Sequence, residues 1–343
     1  MESILVIRVG RVGDTVMMTP ALKALIRIYP DAEFTLIVSP EGKHLLADYS
    51  HQIKQIISWD RHGPLALLET RKLLAQLSRL EFNQIYCFDT NPRIAAITNN
   101  VSGKLHWYRG SSTIKHCARH YLDLVAEVND TDIEDIPVNI PVSRSASEKT
   151  DQELARLGIS EDDTVVMFHP TFSGYSRFFI RKRTAKKRKL WPASNYGELG
   201  YRLASTRLVN GDSPKILIAL LPDEISFGKR IVSYSKGSIT LLKSESGFER
   251  YKALLNRANL LVTPDSGPMH LGAAVNTAIV AFFSMKDPAD CGPYMDPDRF
   301  TILRSEDSDR PEQGIAAISV DTVYEACISQ LNRQVANPDN GIS

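Results

Sequence analysis

Thr263-Pro264-Asp265-Ser266-Gly267-Pro268-Met269-His270 is the stretch of this 343-residue chain whose residue types and spacing point most directly to chemistry. It follows Asn259-Leu260-Leu261-Val262, which reads as a buried strand, and it opens Gly272-Ala273-Ala274-Val275, small residues that let a helix lie close on a sheet. Asp265 or Ser266 can cap the new helix, Gly267 lets the backbone approach a ligand, and Pro268 suits the first helical position. The free N–H groups at such a helix start form an anion site. Near the other end of the chain, Gly10-Arg11-Val12-Gly13-Asp14 makes a glycine-bearing turn after an aliphatic strand, with Asp14 placed to cap the following helix and favour its dipole. A third stretch, Phe172 to Arg188, interleaves Arg177, Arg181, Lys182, Arg183, Lys186, Lys187 and Arg188 with Phe178, Phe179 and Ile180. A charge run of this kind is by default a solvated face. Basic and aromatic side chains together also suit a phosphorylated lipid at a membrane surface, or single-stranded nucleic acid.

The elements that must position these residues alternate along the chain. Ser3 to Val9 is aliphatic with little alternation, as in a parallel strand covered on both faces. A helical recurrence over Thr15 to Ile28 ends at Tyr29-Pro30, and Glu33 to Val38 is the next strand. A leucine-rich helix over Pro64 to Leu80, a strand at Gln84 to Phe88 and a helix over His116 to Val128 continue the series. Ile136 to Ser147, with Pro137, Pro141 and several serines, changes composition and is the candidate linker, so domains are expected at 1–145 and 146–343. A charged helix, Glu148 to Leu157, opens the second domain. Strands are then expected at Thr164 to Phe168, Lys215 to Leu221, Ile239 to Leu242 and Ala278 to Phe283, separated by helices at Asn195 to Thr206, Glu224 to Tyr234 and Gly247 to Arg257. Ser246 and Glu249 have the spacing of a capping box for the last of these. Alternating strands and helices of this kind predict doubly wound α/β sheets. In such sheets ligands sit beyond the carboxyl ends of the strands, where the loops after Val9 and after Val262 fall.

Composition narrows the function classes. A net charge of +1 excludes a chain that is basic throughout and disfavours nucleic acid as the partner, so any attraction to an anion is local. Cys87, Cys117, Cys291 and Cys327 are scattered with no CxxC pair, which suggests neither a zinc site nor a disulfide framework and fits a reducing cytoplasm. No apolar run approaches the roughly 20 residues of a membrane span, and Met1-Glu2-Ser3 runs into a strand without the pattern of a signal peptide. Gly10 and Gly13 belong to GxxGD rather than GxGxxG, and the next strand ends at Val38-Ser39-Pro40 without the acidic residue that would hold a dinucleotide's ribose. The oxidoreductase reading is therefore the weaker one.

Asp265-Ser266-Gly267-Pro268-Met269-His270 with Ala273-Ala274 resembles the donor-binding signature of the glycosyltransferase family 9 heptosyltransferases. Ile4 to Asp14, Thr19-Pro20-Ala21-Leu22 and Tyr29-Pro30-Asp31-Ala32 are similar to that family's first strand, catalytic loop and first helix. Phe168-His169-Pro170 with Lys189-Leu190-Trp191-Pro192, and Asp287-Pro288 with Gly292-Pro293-Tyr294, continue the likeness in the family's order. The resemblance implies the GT-B fold, two Rossmann-like domains facing across a cleft, with the acceptor on the first domain and the nucleotide sugar on the second. It further implies inverting transfer of a heptose from ADP-heptose to the inner core of a lipopolysaccharide, on a Kdo-lipid A or heptosyl core acceptor. The enzyme would work at the cytoplasmic face of the inner membrane. A relative that transfers another nucleotide sugar would keep every one of these motifs.

The resemblance assigns roles residue by residue. Asp14 becomes the catalytic base, since inversion needs one carboxylate beside the acceptor hydroxyl, whereas a retaining hydrolase would need two flanking the bond. Lys189 supplies a full charge to the leaving diphosphate and Thr171 stands where the family has a phosphate contact, both joined by the helix start at Asp265, Ser266 and Gly267. His270 is carried as a donor contact with an alternative in helix packing, and His169 as a structural residue at the strand end. The family places the nucleotide base near Ser246 and, in some members, a ribose-holding glutamate near Asp223-Glu224, so Glu224 is the candidate. Gly13 with Arg181, Lys182 and Arg183 of the basic run is expected on the acceptor side. No Asp-x-Asp triplet stands in the usual metal-and-diphosphate context, and neither a metal nor a cofactor is expected.

Overall fold

The structure is a computed structural model that describes residues 1–61, 66–110, 113–172, 175, 188–245 and 247–336. It divides into two compact units, Met1–Pro141 and Val142–Ser343. Among the described residues no helix is long and apolar enough to cross a membrane. Ser246, Arg181, Lys182 and Arg183, and most of the basic run, lie outside the described residues.

The first unit is built on five parallel strands, β1 (Ser3–Arg8), β2 (Glu33–Val38), β3 (Ile53–Ser58), β4 (Glu81–Cys87) and β5 (Ser102–Trp107), in the order β3-β2-β1-β4-β5. β1 lies in the middle because Ile4, Leu5, Val6 and Ile7 have no solvent-accessible surface and need cover on both faces. Its register runs from Ser3 opposite Glu33 to Arg8 opposite Val38, with Ile4 to Ile7 opposite Gln84 to Cys87 on the other side. The chain leaves β1 toward β2 on one side and returns to β4 on the other, so the strand order reverses between β1 and β4. That reversal opens a crevice at the carboxyl ends of these two strands. The helix Val12–Ile28 starts at this end and the helix Cys117–Asn129 packs beside it, with His116 as its N-cap.

The second unit carries six parallel strands, β6 (Val165–Phe168), β7 (Lys215–Ile218), β8 (Ile239–Leu241), β9 (Leu260–Pro264), β10 (Ala278–Phe283) and β11 (Phe300–Arg304), in the order β11-β10-β9-β6-β7-β8. Here the reversal falls between β6 and β9. One face of the core gathers Phe168, Trp191, Tyr196 and Phe282, with Trp191 edge-on to Tyr196 at 4.8 Å between ring centres. The small residues of the helix Gly267–Ala274 act as expected. A Cβ on Gly272 would stand 2.7 Å from Leu261 Cδ2, so a larger residue there would make that buried side chain shift, and glycine lets the helix lie close on β9 without it. Two doubly wound α/β units of this kind are the GT-B architecture that the resemblance implies.

Local details differ from the sequence reading at the helix starts. The helix after β9 begins at Gly267, so Pro268 takes the second position, where its missing N–H is still one of the four unpaired donors. Ser266 is the N-cap by backbone, yet its hydroxyl bonds Thr263 Oγ1 at 3.1 Å instead of a helix N–H. The extended backbone at Ser266 turns the side chain back onto the strand end. The helix Phe248–Arg257 has Gly247 as its N-cap, with no side-chain capping bond.

Candidate active site

In the first unit the switch point holds a network of ions. Asp14 is the third residue of its helix, and its Oδ2 accepts the Arg11 backbone N–H at 2.8 Å, the reaching-back half of a helix cap. Its Oδ1 accepts from Arg8 Nη2 at 2.6 Å, and its side chain stays one-third exposed. Gly10 is required by this arrangement, because any side chain there would collide with the Asp14 carboxylate. Gly13 is buried beside it in the first turn of the helix.

Arg8 ends β1, and Asp89 follows β4, its nearest neighbour in the sheet. The Asp89 carboxylate is almost wholly enclosed and collects the Val9 N–H at 3.1 Å, Arg61 Nη1 at 2.9 Å and the Asn91 N–H at 2.8 Å. Arg8 Nη1 stands 3.6 Å from the same carboxylate. Burial by itself would lower the Arg8 guanidinium, but Tyr121, Asp14 and Asp89 beside it raise it above its ordinary value, so it is a permanent cation. No local motif in the sequence marks Arg61, Asp89 or Tyr121 as functional, and Arg8 stands in the first-strand motif without a role of its own. An acidic residue directly after the buried strand at Phe88 was the available signal.

In the second unit, Lys189 and Asp265 come together at the β6/β9 switch point. Lys189 Nζ lies 2.5 Å from Asp265 Oδ2, and the Asp265 backbone N–H is fixed by Phe282 O at 2.9 Å. Ser266 is buried next to the pair and Gly267 opens the helix. His270 is also buried, in the second turn of the same helix. Two long-range contacts hold the segment that carries Lys189: the Ile315 N–H donates to Arg188 O at 2.9 Å and the Trp191 indole donates to Ile318 O at 2.8 Å.

A second polar group lies at the ends of β6 and β7. Thr171 is fully buried and its hydroxyl meets His169 Nε2 at 3.1 Å. His169 Nδ1 in turn meets Tyr251 Oη at 2.8 Å. Burial pushes the His169 imidazole down to about 3, so the ring is neutral. Burial raises Glu224 above the usual carboxylate range, opposed by the nearby Thr171 hydroxyl and by the Leu221 N–H, which donates to it at 3.4 Å. Sequence marks His169 and Glu224 only as separate features, and nothing in it marks Tyr251.

Residues 104–318 match the family model described as Glycosyltransferase family 9 (heptosyltransferase). The chain is 20% identical over 327 residues to the lipopolysaccharide core heptosyltransferase OpsX of Haemophilus influenzae, covering 90% of this chain and 86% of OpsX. Its fold is similar to the glycosyl transferase family 9 protein of Veillonella parvula, with a TM-score of 0.82 at 18% identity over 97% of each chain. It is similar also to the E. coli ADP-heptose lps heptosyltransferase II, with a TM-score of 0.75 at 18% identity over 98% of this chain and 100% of that one.

Proposed function

The chain belongs to glycosyltransferase family 9, the heptosyltransferases, and from that premise we propose that it moves a heptose from ADP-heptose, with inversion, to the inner core of a lipopolysaccharide precursor. The observation that carries the reading is that the family's motif residues gather at the switch point of each sheet, Asp14 in one unit and Lys189 with Asp265 in the other. The donor named for heptosyltransferase II supports ADP-heptose, and the acceptor class named for OpsX supports the lipopolysaccharide core.

On this reading the acceptor hydroxyl attacks the anomeric carbon while Asp14 takes its proton, and ADP departs with the electron pair of the broken bond. Arg8 and the Arg11 N–H hold the carboxylate in place, leaving its exposed edge for the acceptor. The leaving diphosphate is met by Lys189 and by the helix start at Asp265, Ser266 and Gly267. Thr171, Ser246, His270 and Glu224 complete the donor side, with Glu224 on the ribose. Gly13, Arg181, Lys182 and Arg183 serve the acceptor, the basic residues through its phosphates at the membrane's inner face. No metal or cofactor takes part.

Mass spectrometry of the purified protein with ADP-heptose and lipid-A-containing acceptors tests the proposal. A product heavier by one heptose, with the anomeric configuration inverted by NMR, is expected. Product from a different nucleotide sugar only would overturn the donor, and no product from any would overturn the reaction. Lys189→Ala and Gly267→Val should each weaken ADP binding in calorimetry, the first by removing a charge and the second by blocking backbone approach. Replacing Arg181, Lys182, Arg183, Lys186 and Lys187 by serine should raise the acceptor KM and lower binding to anionic vesicles. Each basic group contributes about 1 kcal/mol there, and the effect should shrink with added salt.

A further inference from the structure

The helix Ala66–Leu77, which comes after β3, has two unlike faces. Leu73 and Leu77 are buried in one core cluster with Trp59 and Phe82. On the other side Leu67, Leu68, Arg71, Lys72 and Ala75 are all exposed. At 3.6 residues per turn these five fall within about 140° of one another, so they form a single face. Leu67 is 84% exposed and Leu68 47%. One exposed leucine carries little meaning, but two side by side in a first turn, with cations on the same face, make the pattern of an interfacial helix. From Ala66 to Leu80 the chain holds Arg71, Lys72 and Arg79 against a single acid, Glu69, whose carboxylate lies 3.3 Å from Lys72 Nζ. Arg79 is exposed in the turn after the helix.

The position of this face in the fold gives it a direction. Trp59, just past β3, donates its indole N–H to Thr70 Oγ1 at 3.1 Å, and Arg61 reaches Asp89 at 2.9 Å, so the start of the helix is tied to the carboxyl end of the sheet. Asp14 lies at that same end. We propose that Ala66–Leu77 is the face by which the first unit docks on an anionic bilayer, with Leu67 and Leu68 entering the acyl boundary and Arg71, Lys72 and Arg79 resting on the headgroup phosphates. The purpose of such docking rests on the membrane-borne acceptor of the functional reading above. Charge and residue type select this occupant. A second copy related by a two-fold axis would bring the same cations against themselves. Single-stranded nucleic acid needs rings to stack on, and Ala66 to Leu80 contains no aromatic residue. An anionic bilayer takes both halves of the face, the leucines to a depth of about 5–10 Å and the cations at its surface.

Cosedimentation of the full-length protein with vesicles of phosphatidylethanolamine and phosphatidylglycerol tests the proposal without any turnover. Leu67→Ser with Leu68→Ser should lower partitioning about tenfold at low and high salt alike. Arg71→Ser with Lys72→Ser should lower it about tenfold at low salt and by less than about twofold in about 0.5 M salt, where the charges are screened. The emission that Leu68→Trp adds should shift to the blue on these vesicles and be quenched by brominated acyl chains, a local signal that the basic run of the second unit does not produce. Unchanged partitioning in both double variants, or added emission that is neither shifted nor quenched, would overturn the docking face. A wild-type dimer in sedimentation velocity that Leu67→Ser with Leu68→Ser abolishes would overturn it in favour of a second copy. Single-stranded RNA binding that is lost in Arg71→Ser with Lys72→Ser, beside unchanged vesicle binding, would overturn it in favour of nucleic acid. Quenching in a protein that transfers no sugar would uphold the docking face and overturn only the functional reading.

Discussion

Arg8 shares one buried guanidinium between two carboxylates, with Nη2 2.6 Å from Asp14 and Nη1 3.6 Å from Asp89. The two acids differ in what else surrounds them. Asp89 is enclosed and already accepts from Val9, Arg61 and Asn91. Asp14 is one-third exposed and has a free edge toward solvent. Of the pair, Asp14 alone can reach an incoming hydroxyl, while Asp89 holds Arg8 in place beneath it.

Asp14→Asn should therefore lower turnover by about two orders of magnitude or more while leaving ADP affinity nearly intact. An asparagine has one acceptor oxygen where the carboxylate uses two, so it keeps the Arg11 N–H or the Arg8 bond but not both, and stability should fall by about 1–3 kcal/mol. Steady-state kinetics beside calorimetry and urea unfolding checks both halves. Turnover close to wild type would remove the base assignment, and a much earlier melt would show that the capping role was the main one.

Asp89→Ala should behave in the opposite way, as a variant whose main effect is on stability. It removes the enclosed carboxylate that pairs with Arg61 at 2.9 Å and stands 3.6 Å from Arg8, and it leaves the Val9 N–H without this acceptor. Removing one member of a buried ion pair costs about 3–5 kcal/mol. Urea unfolding should report a loss of that size, and a loss under about 1 kcal/mol would mean that water replaces the carboxylate without penalty.

Stability of the second unit should depend on pH through His169. The ring's ordinary value of 6.5 is depressed to about 3 by burial. Below about pH 6.5 the unfolded chain takes up a proton that the folded chain refuses, so stability falls as the pH drops toward 3, by up to about 1.4 kcal/mol per pH unit. Glu224, raised by burial, has the opposite sign, and its contribution is lost as the pH rises through its folded value. His106 is also lowered by burial and lies outside this unit, so it cancels when wild type is compared with His169→Asn. Urea unfolding across this range should give a flatter curve for the variant below about pH 6.5, and parallel curves would contradict the buried neutral ring.

What was legible in the sequence follows what each residue needs from its neighbours. β1 and β10 could be read directly because a central parallel strand is buried on both faces and spells out a continuous apolar run. β3, β5 and β11 carry no strand signal of that kind. They lie at sheet edges, their residues are largely half-buried or exposed, and Ser102-Gly103-Lys104 at the start of β5 carries no apolar pattern. The same division runs through the candidate site. Asp14, Lys189 and Asp265 sit inside local motifs that declare a strand end and a helix start. Asp89, Tyr251 and Gly314 meet Arg61, His169 and Arg188, partners far away in the chain, and no spacing rule connects them to those partners.

Gly314 is the case with the sharpest consequence. Its φ of 65° and ψ of −151° belong to a region open to glycine, and any side chain there would collide with the backbone of Arg188. The next residue donates its N–H to Arg188 O at 2.9 Å, and Ile318 O takes the Trp191 indole at 2.8 Å, so this segment grips the chain on both sides of Lys189. Gly314→Val should cost about 1–3 kcal/mol in strain and push Arg188 outward, carrying Lys189 off Asp265. ADP affinity should then fall by about tenfold, in line with a displaced charge-assisted contact. If the effect passes through Lys189, Gly314→Val should add less than about twofold in a Lys189→Ala background. Calorimetry on the two single variants and the double variant decides it. Equal losses in both backgrounds would show that Gly314 serves the second unit's core rather than its cation.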